Sequence, residues 1–130
     1  MSDAPTGIRL RRTSKLLELT WEDGVVHELP CEYLRVYSPS AEVRGHGSGD
    51  RILQTGKKHV NIAAVEPVGN YAVKLAFDDG HDTGIYTWGF LRELGERQEA
   101  YWQAYLDELE GAGASRVPPV RLGEWTPPAD

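Results

Sequence analysis

Apolar and polar residues alternate along the N-terminal part of the chain, and this alternation predicts β-strands. The predicted strands run from Ile8 to Ser14, from Lys15 to Trp21 and from Val25 to Leu29. The acidic and glycine residues Glu22-Asp23-Gly24 separate the last two and are typical of a tight hairpin turn. The opening of the chain is therefore expected to be a small antiparallel meander.

A second group of alternating segments lies in the middle of the chain. Val60–Val68 and Tyr71–Phe77 are predicted strands joined by Gly69-Asn70. In the second of them, apolar residues fall at every other position, which favours one buried face. Asp78-Asp79-Gly80 predicts another hairpin turn, and Asp82–Tyr86 predicts a short returning strand.

Two segments carry helical patterns. Pro30 is suited to the start of a single helical turn at Cys31–Arg35. Thr87 is a predicted N-cap for a long helix over Trp88–Glu110, whose apolar residues recur at three- and four-residue spacing. The expected fold class is α+β, with small antiparallel β-sheet elements (a meander plus hairpins) and one long C-terminal helix.

The domain boundaries follow from these elements. Residues 1–6 are predicted to be a flexible tail, residues 7–112 one folded domain, and residues 113–130 a proline-rich tail. Trp125 in that last segment is expected to pack back on the domain. The length of 130 residues is ordinary for a single domain.

Composition narrows the class of protein. The formal net charge of −6 disfavours a nucleic-acid binder, although basic residues cluster near Arg9 to Lys15. No apolar run approaches the roughly 20 residues of a membrane-spanning helix, and no secretory signal is recognisable. The lone Cys31 forms no internal disulfide and is expected to be half-buried, so we expect a cytoplasmic protein.

The candidate chemistry lies in the longest irregular stretch and in the histidines. Residues 38–58 contain the glycine-rich segment 45–50, and long loops in compact domains are often functional. None of the histidines has the spacing of a compact zinc site, and His27 is expected to face solvent from its strand. His81 follows a tight turn beside Asp79 and Asp82, either of which could orient its ring or raise its pKa.

Four ordered segments resemble the gamma-butyrobetaine hydroxylase-like N-terminal domain family, whose members include domains of unknown function. These segments lie within residues 7–95 and are Trp21–Gly24, Leu34–Val43, Val65–Val73 and Asp79–Trp88. The resemblance implies a stand-alone bacterial form. Hydroxylase activity is not expected, because the predicted elements leave no segment for the oxygenase domain. The resemblance also implies partners in iron–sulfur or oxygenase-linked pathways.

The resemblance implies a structural zinc site in the hydroxylase form, held by three cysteines and a histidine. Those positions correspond here to Ser38, Ser40, Val43 and His81. Serine hydroxyls do not replace thiolates on zinc, and valine has no donor atom. We therefore expect no cofactor and no family-type zinc site. The segments that the metal would join are expected to stay adjacent through hydrogen bonds and the turn at Pro39.

We expect a small non-catalytic binding or adaptor domain whose partner is another protein, with no membrane association. A homodimer is the other form of partner that we consider. The candidate binding surface comprises Ser38, Pro39, Ser40, Glu42, Arg44, His46, Asp79, His81, Asp82 and Tyr86.

Two alternatives stay open. One is a protein that binds iron or zinc weakly through His46 and His81. The other is an enzyme that uses the Ser38–Gly49 loop. An apolar patch near Trp88, Trp102 or Trp125 would favour the adaptor, whereas a pocket of convergent polar groups near Ser40, His46 and His81 would favour the enzyme.

Overall fold

The computed structural model describes residues 4–44 and 51–119, except for the side chain of Arg44. It contains six strands and four helices in these two ranges. In chain order they are β1 (Gly7–Arg11), β2 (Leu16–Thr20), β3 (Val26–Pro30), α1 (Cys31–Val36), α2 (Ala41–Arg44), β4 (Ile62–Val68), β5 (Ala72–Phe77), β6 (Gly84–Thr87), α3 (Trp88–Glu96) and α4 (Gln98–Ala112).

The strands form two antiparallel three-stranded sheets, in the orders β1-β2-β3 and β4-β5-β6. The predicted α+β class and the predicted meander are confirmed. Both sheets bury one face in a shared core. The first sheet contributes Leu17 and Leu19 to this core, and the second contributes Leu75 and Phe77. Cys31 lies in the same core and is fully buried rather than half-buried.

Side chains from the β1–β2 turn link the two sheets. The Arg12 guanidinium donates to the carbonyl of Ala63 (2.8 Å), and the Asn61 amide donates back to the carbonyl of Arg12 (2.9 Å). The Lys15 ammonium donates to the carbonyl of His59 (3.2 Å). Part of the basic cluster near the N-terminus therefore binds the protein's own backbone.

The predicted C-terminal helix is present but divided in two. Thr87 caps α3 as expected, because its hydroxyl accepts a hydrogen bond from the backbone N–H of Phe90 (3.2 Å). The helix breaks at Arg97, whose φ of −105° and ψ of 14° are not helical. Helix α3 buries Leu91 and Leu94 in the main core, while the two buried residues of α4 belong to a second cluster.

That second cluster joins α1 to α4 through Val36, Tyr105 and Leu109. The chain after α4 is held against α1 at Arg116. Arg116 forms a bidentate ion pair with the buried Glu32 (2.7 and 2.8 Å) and lies over the ring of Trp102. In residues 4–44 and 51–119, no helix combines the length and apolar character that crossing a membrane requires.

Candidate functional site

A chain of hydrogen bonds joins the segment after α1 to the hairpin between β5 and β6. The Ser38 Oγ lies 2.8 Å from His81 Nε2, and His81 Nδ1 lies 2.9 Å from a carboxylate oxygen of Glu42. A neutral imidazole fits this geometry, with Nδ1–H donating to the carboxylate and Nε2 accepting from the hydroxyl. Ser38 and His81 are buried, whereas the Glu42 side chain is 63% exposed.

Local backbone geometry places these side chains. His81 follows Gly80, whose φ of +92° lies in the left-handed region and favours glycine at the turn. On the other side, the backbone N–H of Ser40 donates to Ser38 Oγ (3.3 Å) and tightens the turn at Pro39. Gly84 also has to be small, because a Cβ there would lie only 2.6 Å from Ser38 Oγ.

A second set of hydrogen bonds closes the arrangement. The hydroxyls of Ser40 and Thr83 lie 2.7 Å apart, and Thr83 also donates to the Glu42 carboxylate (3.3 Å). We call Ser38, Ser40, Glu42, His81 and Thr83 the serine–histidine junction. An open cavity of about 450 Å³ beside it is lined by six residues, which are Pro39, Ser40, Ala41, Glu42, Thr83 and Ile85.

Burial of the junction favours a neutral histidine. Burial, together with the nearby Arg35 guanidinium, lowers the pKa of His81. Burial would raise the pKa of Asp79, but hydrogen bonds from Lys57, the His81 backbone and Arg35 outweigh burial and lower it. The Asp79 carboxylate thus forms ion pairs with two basic side chains, Arg35 at 2.9 Å and Lys57 at 2.6 Å. The buried Nη1 of Arg35 has no partner among the described residues.

The order of groups in the junction is that of a serine nucleophile, a histidine base and an orienting carboxylate. A nucleophile also has to be reached by a substrate. Ser38 has no exposed surface, and the neighbouring cavity is lined by Ser40 rather than by Ser38 or His81. In this conformation the junction therefore ties two segments together and does not present a nucleophile.

Two of the zinc positions implied by the resemblance, Ser38 and Ser40, lie against the hairpin that carries His81, as expected, but the residues at the four positions do not fit the metal. Ser38 and Ser40 are engaged in hydrogen bonds with His81 and Thr83. Val43 offers only its backbone, whose N–H donates to the carbonyl of Ser40 (3.0 Å). A set of two hydroxyls, one imidazole and one aliphatic side chain lacks the thiolates that a structural zinc site of this type needs.

Among the residues that the structure describes, no three histidine, cysteine, aspartate or glutamate side chains group closely enough to hold a metal ion. His46, the other histidine of the metal alternative, lies outside the described residues, as does the whole glycine-rich segment 45–50. Binding of iron or zinc through His46 and His81 stays a prediction.

The remaining residues of the candidate binding surface differ in exposure. Glu42 and Asp82 are exposed, and Pro39 is half-buried. Tyr86 is fully buried, and its hydroxyl donates to the carbonyl of Leu34 (2.5 Å). Burial raises the pKa of that phenol. The side chain of Arg44 and the predicted packing of Trp125 lie outside the described residues.

The sequence did not reveal a cavity of about 420 Å³ between the β2–β3 hairpin and α3. Trp21 and Trp88 line it, together with Asp23 and Arg92. The Arg92 guanidinium forms two hydrogen bonds with the Asp23 carboxylate (2.9 and 3.2 Å) and lies over the Trp21 ring. Both tryptophans occur in the segments that carry the family resemblance, but no spacing pattern pairs them.

Polar contacts hold the two tryptophans in place. The Trp21 indole N–H donates to His27 Nδ1 (2.8 Å), and the Trp88 indole N–H donates to the carbonyl of Asn70 (2.8 Å). His27, expected to face solvent, is half-buried instead. Its ring packs against Gly95 of α3 so closely that a Cβ there would overlap it.

A second cavity of about 520 Å³ adjoins the first along α3. Its lining includes Pro30, Gly95, Glu99 and Trp102, and Glu96 lines both cavities. We call the two cavities together the α3 groove. Its tryptophans are half-buried or buried, and carboxylates surround them.

The chain is similar to a known protein family and to solved structures. Residues 8–92 match the family described as gamma-butyrobetaine hydroxylase-like, N-terminal. Two structures described as NMR solution structures are similar over nearly the whole chain. One has 48% identity, covers 94% of this chain and 96% of the other, and has a TM-score of 0.79. The second has 50% identity, coverage of 96% and 93%, and a TM-score of 0.76.

A crystal structure from Acidithiobacillus ferrooxidans is also similar, with 43% identity and a TM-score of 0.60. The similarity covers 72% of this chain and 93% of that one, which is described as a protein of unknown function in the DUF971 family. The comparison with curated proteins found no match.

Proposed function

This chain belongs to the gamma-butyrobetaine hydroxylase-like N-terminal family, and we propose that it is a small non-catalytic module that binds another protein through the α3 groove. The single observation that carries this proposal is the half-buried Trp88 beside one open cavity of about 420 Å³, whose wall also includes the buried Trp21. Tryptophan and arginine are enriched among the residues that dominate protein–protein binding energies.

The state of the groove before binding also supports this role. Trp21, Trp88 and Arg92 are already held by hydrogen bonds to neighbouring residues. A partner would therefore meet side chains that need little ordering, and a smaller loss of conformational entropy favours affinity. The buried Ser38 supports the non-catalytic part of the proposal, because a substrate has no path to its hydroxyl in this conformation.

The resemblance adds an expectation about the partner. We propose that it belongs to an iron–sulfur or oxygenase-linked pathway. This part of the proposal depends on the family alone, so the identity of the bound protein is what tests it.

Site-specific photocrosslinking in cells that contain the natural partners tests the docking function. Gly89 lies on α3 in the wall of the groove, and a Cβ there meets nothing within 4 Å. Gly111 on α4 is equally open and lies outside both cavities, so it provides a matched control. A benzophenone amino acid at Gly89 is expected to form a discrete adduct, identified by mass spectrometry, that the same group at Gly111 does not form.

Each outcome of that experiment is decisive. An adduct with another protein from Gly89 alone supports the proposal. An adduct at twice the mass of the chain identifies a second copy as the occupant and replaces a distinct partner by a homodimer. Equal adduct patterns from Gly89 and Gly111, or no adduct from Gly89, contradict docking at the groove.

A second candidate function is a serine hydrolase, favoured by the order of Ser38, His81 and Glu42. It requires a conformation in which the Ser38 hydroxyl becomes exposed. Labelling by a fluorophosphonate probe that is lost in Ser38→Ala and retained in Ser40→Ala would establish it.

A further inference from the structure

The two cavities of the α3 groove share an excess of negative charge. Their lining contains five carboxylates, from Glu22, Asp23, Glu93, Glu96 and Glu99, against the two guanidinium groups of Arg92 and Arg97. The Arg92 charge is already taken up, because its guanidinium contacts both Asp23 (2.9 Å) and Glu96 (3.5 Å). The groove as a whole therefore presents a negative surface.

Two of these carboxylates are unpaired among the described residues. The side-chain carboxylates of Glu22 in the first cavity and Glu99 in the second form no hydrogen bond or ion pair with any residue in the described ranges 4–44 and 51–119. Glu93, by comparison, accepts a hydrogen bond from the Tyr101 hydroxyl (2.6 Å). Unpaired carboxylates at both ends of the groove are available to an incoming cation.

The aromatic residues of the groove suit the same ligand. Trp88 and Trp102 are half-buried at its two ends. A tryptophan face attracts lysine and arginine side chains, and the aliphatic stems of those side chains pack against apolar surface. The rings and the carboxylates thus favour one side-chain type, a long cation.

The dimensions favour a short segment of polypeptide. Helix α3 runs from Trp88 to Glu96, which at 1.5 Å per residue is about 12 Å. An extended chain advances about 3.3 Å per residue, so roughly four residues cover α3 and a few more reach Glu99. The groove is thus long enough for several side chains of one segment.

We infer that the α3 groove binds an extended, lysine- or arginine-rich segment of a partner protein, with carboxylates at both ends pairing with its basic side chains. This inference rests on the proposed docking function and specifies the chemistry of the partner.

An NMR titration of the full-length, ¹⁵N-labelled chain tests this inference. The probes are a peptide of about nine residues with lysine alternating with leucine and glycine, and the same peptide with glutamate in place of lysine. The lysine peptide is expected to shift the indole N–H signal of Trp88 and the amide signals of Glu93 and Glu96. Raising NaCl from about 50 mM to about 500 mM is expected to weaken binding at least about tenfold.

Two double variants separate the groove from general charge. Glu22→Gln with Glu99→Gln is expected to weaken binding of the lysine peptide roughly fivefold to tenfold, because both free carboxylates are lost. Glu28→Gln with Glu110→Gln removes the same charge from exposed positions outside the groove. This control is expected to leave the affinity within about twofold.

Three results would overturn the inference. Equal binding of the glutamate peptide would show that charge does not select the partner. Equal binding of spermidine would show that any polycation suffices, and not a polypeptide segment. Absence of groove shifts with the lysine peptide would exclude a basic segment. In each case the photocrosslinking at Gly89 decides independently whether the groove docks a protein at all.

Discussion

Replacing His81 by leucine removes the centre of the serine–histidine junction while keeping a side chain of similar size. The change removes the 2.8 Å acceptor of the Ser38 O–H, which is fully buried, while Ser38 Oγ still accepts from the backbone N–H of Ser40. Losing the acceptor of one buried donor costs about 1–3 kcal/mol. The bond to the exposed Glu42 contributes only about 0–1 kcal/mol. We therefore expect His81→Leu to lower the free energy of unfolding by about 2 kcal/mol.

Urea denaturation followed by tryptophan fluorescence measures this change. With a typical urea dependence for a domain of this size, the midpoint is expected to fall by about 1 M or somewhat more. Glu42→Gln is the matched control, since its amide oxygen can still accept from His81 Nδ1–H. It is expected to change the free energy of unfolding by less than about 0.5 kcal/mol.

A double-mutant cycle isolates the interaction between the serine and the histidine. Ser38→Ala combined with His81→Leu removes both polar partners, so the pair is expected to be less destabilised than the sum of the single variants by about 1 kcal/mol. Strict additivity of the two changes would refute the junction as a coupled unit. So would a His81→Leu protein that unfolds at the wild-type midpoint.

Three further predictions follow from individual residues. The pKa of His81 is lower in the folded protein than in the unfolded chain, so the unfolded chain binds the proton more readily. The free energy of unfolding should therefore decline as pH falls below about 6.5, and it should decline less steeply in His81→Leu. Equal dependence on pH in the two proteins, measured by urea denaturation, would contradict this. Gly95→Ala should destabilise by about 1–3 kcal/mol because its methyl group overlaps the His27 ring, whereas Gly89→Ala should be neutral or stabilising in thermal unfolding. A fluorophosphonate probe should leave Ser38 unlabelled in the native protein; rapid stoichiometric labelling would support the hydrolase instead.

The local pattern of the sequence predicted much of the fold. Alternation identified the strands of both sheets, since period-two patterning is a property of each strand alone. The Thr87 cap was predictable because it depends on residues close in sequence. The adjacency of Ser38 and His81 was expected only from the family resemblance, because the two residues lie in different elements.

The features that could not be predicted from the sequence depend on tertiary contacts. Asp79 and Asp82 were the expected partners of the His81 ring, but Glu42 reaches it from α2, and Asp79 binds the His81 backbone N–H instead. The break at Arg97 separates a helix whose buried residues lie in the main core from one whose buried residues lie in the second cluster, and a continuous apolar stripe does not reveal it.

The α3 groove was missed for the same reason. Trp21 lies at a hairpin and Trp88 at a helix N-terminus, and each looks like an ordinary core residue on its own. Only the packing of α3 against the first sheet brings them to one cavity. No periodicity or motif in the chain records this pairing.

The most direct test of the central claim is the affinity of the crosslinked partner for two variants, measured by calorimetry. Trp88→Ala alters the α3 groove, whereas Ile85→Ala removes an exposed apolar side chain beside the serine–histidine junction. Docking at the groove predicts a loss of at least about 2 kcal/mol, or roughly thirtyfold in affinity, for Trp88→Ala and a change within about twofold for Ile85→Ala. The reverse pattern would contradict the account and move the docking surface to the junction.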